Sequence, residues 1–411
     1  MISLVLLEAR ASQAQCAVPT SLADGWKTAE RESSGFNPAA LCAVFDEIAR
    51  GEANIHSVIV ERHGQLVAEL YRHGKDQSIW SLFARDVEFG PTVLHDLRSV
   101  SKSMVSLLIG IARQQNKIGA VTTPVLTFYP EYTDLDSADR TAITLENLLT
   151  MSSGFQWNEG VASYGSFSNS ETRLYWDWAP PHYVLSRPIA ARPGSLFNYN
   201  GGGTAVLADV LTRTTQTPLR ELARKELFDP LGIQDWEWVG DLYGRPAAFA
   251  GLRMRPRDLA KIGRMLLDHG QWEGRQVVPA DWVAESLRPH IPTGEGLQYG
   301  YQWWTGTVDW RGRALPWSAG FGNGGQRLII VPELDLTVVV TAGAYNQPEI
   351  AGTVSHLFKE IVAAVIDGPT AALDAKPSHV WNVQSGQRIM ERAVSSASDR
   401  RAPRGGLGVG G

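Results

Sequence analysis

Cysteine is scarce in this chain, since only Cys16 and Cys42 occur among 411 residues. Two cysteines make neither the disulfide framework of a small secreted domain nor a cysteine-based metal site. Long apolar runs are also missing, and no stretch approaches the length that spans a bilayer. We therefore expect no integral membrane span. A chain of this length can bury a large hydrophobic core without the support of disulfides or metal sites.

The first residues are apolar but do not form a complete secretory signal. No basic residue precedes the apolar residues 1–7, and the run stops at Glu8. The small residues at 11–14 are compatible with a cleavage site. We interpret residues 1–23 as the remnant of a secretory segment or as disordered, and we expect their removal to leave stability unchanged. This predicts a periplasmic or secreted protein, with a cytoplasmic location as the alternative.

Several classes of function are disfavoured by what is absent. The net charge of -5 gives no reason to expect nucleic acid or an anionic membrane as a partner. The nine histidines show no metal-ligand spacing, and no Gly-x-Ser-x-Gly motif is present. The glycines at 322–325 lack the Lys-Ser/Thr of a phosphate-binding loop. We predict no metal, no cofactor and a small-molecule partner, while the oligomeric state does not follow from the sequence.

Elements of the same type stand at both ends of the chain. Apolar residues alternate in two pairs of segments, which predicts two hairpins: 57–62 with 65–72, and 327–331 with 336–340. Helices are predicted outside them, one capped near Asn37 and running to residue 49, the other over 348–366. This arrangement predicts an α+β fold with an antiparallel sheet, flanking helices and an inserted all-α region.

The predicted organisation divides the chain into parts. The sheet is expected from residues 24–98 and 295–367, and the helical insertion from residues 99–294. Residues 368–411 end in a stretch rich in Ser, Arg and Gly, which is typical of a disordered tail.

Lysine is rare too, with eight lysines against thirty arginines, and one of them stands three residues after a serine. Ser99 and Lys102 precede an apolar run over residues 104–112, which is typical of a buried helix. If that helix begins near Ser99, both side chains lie on its first turn. A desolvated lysine can lose its proton and activate a neighbouring hydroxyl as a nucleophile. The competing interpretation is a solvated helix face, and companion motifs decide between the two.

Two companion segments occur further along the chain. In residues 193–203, Tyr199 follows a Pro-Gly turn and precedes three glycines, and residues 322–326 read Gly-Asn-Gly-Gly-Gln. With Ser99 and Lys102, these segments resemble the serine β-lactamase and penicillin-binding protein family. The resemblance is to its class C-related branch of esterases and 6-aminohexanoate-dimer hydrolase-like amidases. It runs from residue 24 to residue 367, and further stretches agree in order and spacing: 143–154, 251–258 and 299–304.

The resemblance implies an α+β sheet domain beside an all-α domain, and it assigns roles to residues. Ser99 would be the nucleophile, while Lys102 and Tyr199 would move protons. For Tyr199 this requires a phenol whose pKa is lowered by Lys102, and which of the two is the base stays open. Backbone N–H groups of Ser99 and Gln326 would stabilise the oxyanion. His95 also lies near Ser99, but its position is more typical of a structural histidine. The predicted substrate-binding residues are Asn323, Gly324 and Gly325.

The chain departs from the family pattern at two positions. Gly201 stands where the second motif usually has asparagine, and Asn323 stands where the third has lysine. The first change removes an amide that would hold Lys102, and the second removes a cation that would attract a substrate carboxylate. We therefore expect a serine hydrolase that cleaves a small ester or amide through an acyl-enzyme. The alternatives are a β-lactamase or D-alanyl-D-alanine carboxypeptidase and, in another class, a non-catalytic ligand-recognition module of the same fold.

Overall fold

The computed structural model describes residues 16–160, 162–294 and 296–368. Its strands are β1 (Lys27–Thr28), β2 (Ile55–Arg62), β3 (Gln65–Tyr71), β4 (His73–Asp76), β5 (Arg85–Glu88), β6 (His95–Asp96), β7 (Trp236–Trp238), β8 (Leu252–Met254), β9 (Gln271–Trp272), β10 (Arg275–Gln276), β11 (Ile291–Pro292), β12 (Gln298–Tyr299), β13 (Trp304–Trp310), β14 (Arg313–Gly322), β15 (Gln326–Val331) and β16 (Leu336–Ala342). Its α-helices are α1 (Pro38–Arg50), α2 (Val100–Gln114), α3 (Ala138–Thr141), α4 (Leu145–Leu149), α5 (Ser170–Leu174), α6 (Pro180–Leu185), α7 (Gly201–Thr215), α8 (Leu219–Ala223), α9 (Pro256–Leu267), α10 (Ala280–Leu287) and α11 (Ile350–Ala363).

Nine strands form one sheet in the order β1-β3-β2-β16-β15-β14-β13-β12-β11. Neighbouring strands are antiparallel except for β1 and β3, which run parallel. The two predicted hairpins are β2–β3 and β15–β16, and they meet where β16 pairs with β2. The predicted α+β fold, with a sheet built from both ends of the chain, is confirmed. The parallel edge strand β1 is the one departure from an all-antiparallel sheet.

The central strands are covered by helices on both faces. In β2, Val58 and Val60 belong to the core formed with α1 and α11, whereas Ile59 belongs to the core formed with α2 and α9. In β16, Val338 belongs to the core formed with α1 and α11, and Val339 belongs to the core formed with α2 and α9. Because successive side chains of a strand point to opposite faces, nearly continuous apolar strands fit this double burial.

Helix α2 is buried from Val100 to Ala112. It lies between the sheet and the helices α7 and α10. Gly110 lets α10 approach closely, because a Cβ at that position would stand 2.1 Å from Cδ1 of Trp282. The predicted buried helix that begins near Ser99 is confirmed. Packing on all sides therefore fixes the position of its first turn.

The region predicted to be all-α contains more than helices. Strands β7 and β8 lie within residues 99–294. Strand β8 pairs with β7 on one side and, on the other, with β6 beside the start of α2. Helix α9 also falls in this range, yet it packs on β16, β15 and β2 and so belongs to the sheet layer. The predicted boundary therefore does not follow the layers of the fold. Strands of two or three residues show too little periodicity to be recognised from sequence.

The segment before α1 is part of the fold, contrary to expectation. Cys16 and Cys42 form a disulfide that ties this segment to α1. Residues 16–23 are thus attached to the fold, and we now expect their removal to lower stability. Two cysteines make no framework, but they suffice for one cross-link when the fold brings them together. Residues 1–15 lie outside the described residues.

A buried arginine on α9 also holds this segment. Arg257 donates hydrogen bonds from Nη2 to the carbonyl of Thr20 and from Nη1 to Asp24, both at 2.8 Å. Its Nη2 also pairs with Glu69 of β3 at 2.6 Å. The arginine side chain is 2% exposed, so loss of its partners would leave an uncompensated charge in the core.

No helix within the described ranges is long and apolar enough to cross a membrane. Of the predicted disordered tail, residues 368–411, everything after Gly368 lies outside the described residues.

We expect Cys16→Ser to lower the free energy of unfolding by about 3 kcal/mol, because the cross-link restricts the unfolded chain over a loop of moderate length. The two cysteines are 26 residues apart in sequence. Urea unfolding of the wild type and the variant, each with and without dithiothreitol, measures the effect. The reductant should lower the wild-type midpoint to that of the variant and leave the variant unchanged. Equal midpoints without reductant would contradict the prediction.

Candidate active site

Ser99 lies at the junction between a turn and α2. Arg98, the residue before it, has a φ of 49°, a left-handed conformation that is costly for a residue other than glycine. Ser101 donates from Oγ to the carbonyl of Arg98 at 2.6 Å and so braces the turn. Ser99 is the N-cap residue of α2. Its hydroxyl therefore stands where free backbone N–H groups and the helix dipole favour negative charge.

The ammonium group of Lys102 is surrounded by acceptors. Nζ donates to Oγ of Ser99 at 2.9 Å, to the carbonyl of Phe249 at 2.9 Å and to Oε2 of Glu171 at 3.3 Å. Burial lowers the pKa of Lys102, but attraction to Tyr199 and Glu171 outweighs burial, so the pKa lies above its usual value. Lys102 is thus an ammonium whose three protons have three acceptors. It is not the neutral base that desolvation alone predicts.

Tyr199 lies beside the same serine. The side chain of Ser99 and the charge of Lys102 both act to lower the pKa of Tyr199, and Nζ of Lys102 lies 4.9 Å from the centroid of its ring. The ring stacks on Trp304 at a centroid distance of 5.7 Å. Burial raises the pKa of Tyr199 more than Lys102 lowers it, so the net pKa is above its usual value. The expected lowering of this pKa is therefore wrong in direction.

Two buried glutamates, which sequence reasoning missed, hold Lys102 from the other side. Oε1 of Glu159 lies 3.7 Å and Oε2 of Glu171 lies 3.3 Å from Nζ. Glu159 accepts hydrogen bonds from Nε1 of Trp157 at 2.7 Å and from the N–H of Gly201 at 2.6 Å. Burial and the neighbouring Glu159 raise the pKa of Glu171 well above its usual value. Both carboxyl groups therefore face Lys102, and the raised pKa of Glu171 favours its protonated form.

Gly201 makes room for these carboxylates. A Cβ at this position would stand 2.4 Å from Oε2 of Glu171 and 3.2 Å from Oε2 of Glu159. An asparagine side chain cannot share that space. The absence of asparagine at position 201 was thus the sequence signal that other groups must hold Lys102. Spacing could not identify the glutamates as those groups, because Glu159 is 42 residues from Gly201.

The third motif forms the turn between β14 and β15. Gly324 and Gly325 have φ values of 91° and 102°, and a Cβ on Gly324 would stand 2.5 Å from Cδ1 of Tyr345. Glycine is therefore required at this turn. Asn323 accepts from the N–H of Asn346 at 2.9 Å and donates to Oδ1 of the same residue at 3.1 Å. This wall of the site is uncharged.

Gln326 begins β15 next to this turn and is fully buried. Its side chain accepts from the N–H of Ala342 at 3.0 Å. The neighbouring Gly322 lies against the segment that leads into α2, since a Cβ there would stand 2.4 Å from the carbonyl oxygen of Leu97. The third motif is thus beside the start of the helix. The backbone N–H of Gln326 stays a predicted oxyanion donor.

A cleft of about 380 Å³ opens onto Ser99. Asn323 and Glu171 also line it, whereas Lys102 lies behind the serine. Arg98 is a cation in this lining. Arg327 is not, because its guanidinium stacks on Phe321 at 4.1 Å and bonds to backbone carbonyls. The aromatic residues of the cleft are Trp80, Tyr164, Tyr175, Trp176 and Tyr345.

Sequence comparison identifies the family. The family model described as beta-lactamase matches residues 50–352, which contain all three motifs. The chain belongs to the beta-lactamase family. The predicted membership of the superfamily of serine β-lactamases and penicillin-binding proteins is confirmed, and the chain is a serine hydrolase of that superfamily.

Individual relatives include hydrolases of different bonds. The 6-aminohexanoate-dimer hydrolase of Paenarthrobacter ureafaciens is 28% identical over 309 residues, which cover 71% of this chain and 73% of that protein. Lovastatin esterase of Penicillium rubens is 32% identical over 159 residues, 36% of this chain and 37% of that protein. A structure from Bacillus anthracis, named after 6-aminohexanoate-dimer hydrolase, shares the fold with a TM-score of 0.65. Its identity is 21%, and the match covers 84% of this chain and 90% of that chain.

Because Glu159 and Glu171 both face the buried ammonium of Lys102, we expect each to replace the other in part. Glu159→Gln and Glu171→Gln should each cost about 1 kcal/mol of stability, whereas the double variant should lose more than their sum, about 3 kcal/mol or more, because the buried ammonium is left unpaired. Urea unfolding and hydrolysis of p-nitrophenyl acetate, measured for the wild type, both single variants and the double variant, test this double-mutant cycle. Asp177→Asn, which breaks an ion pair with the exposed Arg173, is the matched control. Additive losses would contradict the mutual replacement of the two glutamates.

Proposed function

We propose that the protein hydrolyses small carboxylic esters or linear amides through an acyl-enzyme on Ser99. The observation that carries this proposal is the hydrogen bond from Nζ of Lys102 to Oγ of Ser99, with the ring of Tyr199 beside the same Nζ and Ser99 facing the cleft. The same arrangement weighs against a non-catalytic recognition module. A binding site has no need of a buried ammonium bonded to a serine that faces the cleft, because burying that charge is costly.

In this scheme Tyr199 is the base that accepts the proton of Ser99. All three protons of Lys102 are already donated, so Lys102 cannot accept another and instead stabilises negative charge on the tyrosine oxygen. As Oγ of Ser99 bonds to the substrate carbonyl carbon, its proton passes to the phenolate of Tyr199. The phenol then protonates the leaving oxygen or nitrogen. In deacylation, water attacks the acyl ester and gives its proton to Tyr199, which returns one to Ser99.

This assignment has a consequence for pH dependence. Because burial holds the pKa of Tyr199 above its usual value, the phenolate is the minor form at neutral pH. Turnover in the proposed scheme therefore rises with pH through the alkaline range. The oxyanion is stabilised by the N–H of Ser99 at the start of α2 and, in the proposal, by the N–H of Gln326.

The uncharged third motif favours neutral substrates. Asn323 supplies no cation and is bonded to Asn346. The mouth of the cleft is apolar, with Trp80 43%, Trp176 49% and Leu82 85% exposed, and such a surface suits an apolar acyl or alcohol group. Two relatives, named 6-aminohexanoate-dimer hydrolase and lovastatin esterase, support the cleavage of an amide or an ester bond. A β-lactamase or D-alanyl-D-alanine carboxypeptidase is the second candidate, because Arg98 is a cation in the cleft lining, although it is paired with Asp96 at 3.4 Å and stacks on Tyr345.

We also propose a periplasmic or secreted location, with a cytoplasmic location as the alternative. The disulfide between Cys16 and Cys42 supports this proposal. Such bonds persist in oxidising compartments and are rare where thiols are kept reduced.

Ser99→Ala should fold like the wild type and lose hydrolysis of p-nitrophenyl butyrate by more than about a thousandfold, because no acyl-enzyme can form. Ser81→Ala is the matched control, since Ser81 lines the same cleft and should be dispensable. Mass spectrometry of the wild type with a slowly released ester should show the acyl group on Ser99. Substantial hydrolysis by Ser99→Ala would refute the nucleophile.

Asn323→Lys should shift preference toward substrates with a carboxylate. A charge-assisted hydrogen bond is worth about 1.5–3 kcal/mol, so the ratio of kcat/KM for a cephalosporin to that for p-nitrophenyl butyrate should rise by about one to two decades. Asn323→Gln, which changes length but not charge, is the control. If the wild type already prefers the cephalosporin, Arg98 rather than residue 323 sets the specificity and this prediction is wrong.

A further inference from the structure

A buried cluster behind the cleft takes no part in the proposed reaction. His56 on β2, Asp76 on β4 and His95 on β6 each offer one ligand atom, and these atoms all lie within 4.8 Å of one another. Both histidines are 0% exposed and Asp76 is 8% exposed. Sequence spacing did not indicate the cluster, because its members come from three separate strands.

The hydrogen bonds show which nitrogens carry the ring protons. Nε2 of His56 lies 3.0 Å from Oδ1 of Asn54, and the amide of Asn54 is oriented because its Nδ2 donates to the carbonyl of Lys75 at 2.7 Å. Nδ1 of His95 lies 2.9 Å from the carbonyl oxygen of Asp96. Both partners are acceptors. Each ring therefore carries a proton on its outer nitrogen.

Electron pairs consequently converge inside the cluster. Nδ1 of His56 lies 2.8 Å from Nε2 of His95, and two neutral rings protonated on their outer nitrogens have no hydrogen to place between these atoms. Oδ1 of Asp76 lies 4.0 Å from Nε2 of His95. Three electron-pair donors thus face one another at the centre, which is an arrangement that calls for a cation.

We propose that His56, Asp76 and His95 bind one divalent transition-metal ion of the zinc type. Two neutral imidazoles and a carboxylate are a common ligand set for such ions. A tetrahedral ion about 2.1 Å from each ligand atom holds those atoms about 3.4 Å apart. Binding therefore moves the two nitrogens, now 2.8 Å apart, away from each other by about 0.6 Å. It draws Oδ1 of Asp76, now 4.0 Å from Nε2 of His95, inward by a similar distance.

The surroundings of the cluster support this assignment. Metal-bound histidines usually donate their second ring N–H to a carbonyl or carboxylate oxygen, and bound carboxylates are themselves hydrogen-bonded. Here the outer nitrogens face Asn54 and the carbonyl of Asp96, and the hydroxyl of Tyr345 donates to Oδ1 of Asp76 at 2.7 Å.

The role of the ion in this proposal is structural. It links β2 and β4 to β6, and His95 precedes Ser99 by four residues. The ligand residues do not line the cleft, although Tyr345, which hydrogen-bonds Asp76, and Gln77, which follows Asp76, do. The ion would hold the segment that enters the catalytic helix without touching the substrate, so the proposal is independent of the bond that the enzyme cleaves.

The test is zinc binding by the full-length protein. Protein expressed with added zinc, then desalted and analysed by mass spectrometry of its metal content, should hold about one equivalent per chain. Co²⁺ in place of zinc should give visible absorption bands. Asp76→Asn can still accept the hydrogen bond of Tyr345, so it should fold but bind zinc about tenfold or more weakly. His182→Asn is the control, because it removes an exposed histidine bonded to Asp134 and should leave zinc binding unchanged.

Three outcomes would overturn the proposal. The first is wild-type protein with far less than one equivalent of zinc. The second is equal zinc binding by the wild type and Asp76→Asn. The third is nitrogen NMR of the zinc-exposed wild type that shows a third ring proton shared by the two histidines, since a proton would then occupy the place assigned to the ion.

Discussion

The buried ammonium of Lys102 is the constraint on which the rest of the site depends. Helix α2 is covered on all sides, so its first turn carries this charge into the core. A buried charge is tolerated only with good partners, and Lys102 finds one for each of its protons. The serine hydroxyl is one of them, a carbonyl from the loop before β8 is another, and a glutamate is the third. Ser99, the proposed nucleophile, is therefore positioned by the same contacts that compensate the buried charge of Lys102.

The exchange of asparagine for glycine at position 201 changes the electrostatics of the site. A neutral amide would hold Lys102 by hydrogen bonding alone, whereas Glu159 and Glu171 also attract its charge and keep its pKa high. In the proposed reaction, that attraction leaves Tyr199 as the group that exchanges a proton with Ser99. The third motif changes in parallel, since Asn323 is neutral and the cation in the cleft lining is Arg98. Gly201 and Asn323, the two departures from the family pattern, thus both change which positive charges a substrate can meet in the site.

Local patterns in the sequence predicted the elements that are long and periodic. The helix after Ser99, both central hairpins and the flanking helices α1 and α11 follow from apolar periodicity and capping, because each depends on neighbouring residues. Short strands such as β7 and β8 did not, because they are held by a three-stranded sheet with β6, which is a tertiary contact. The disulfide of Cys16 was missed for the same reason, and with it the attachment of residues 16–23.

The sequence by itself determined the order and spacing of Ser99, Lys102, Tyr199 and the glycines of the third motif, and these sufficed for the family and the candidate nucleophile. Only the tertiary structure decided the charge state of Lys102, the raised pKa of Tyr199 and the pairing of Glu159 with Glu171. It also brought His56, Asp76 and His95 together from three strands. The physical reason is that motifs record which groups are present, whereas protonation and ligation depend on burial and on atoms within about 4 Å, which are contributed by segments far apart in the chain.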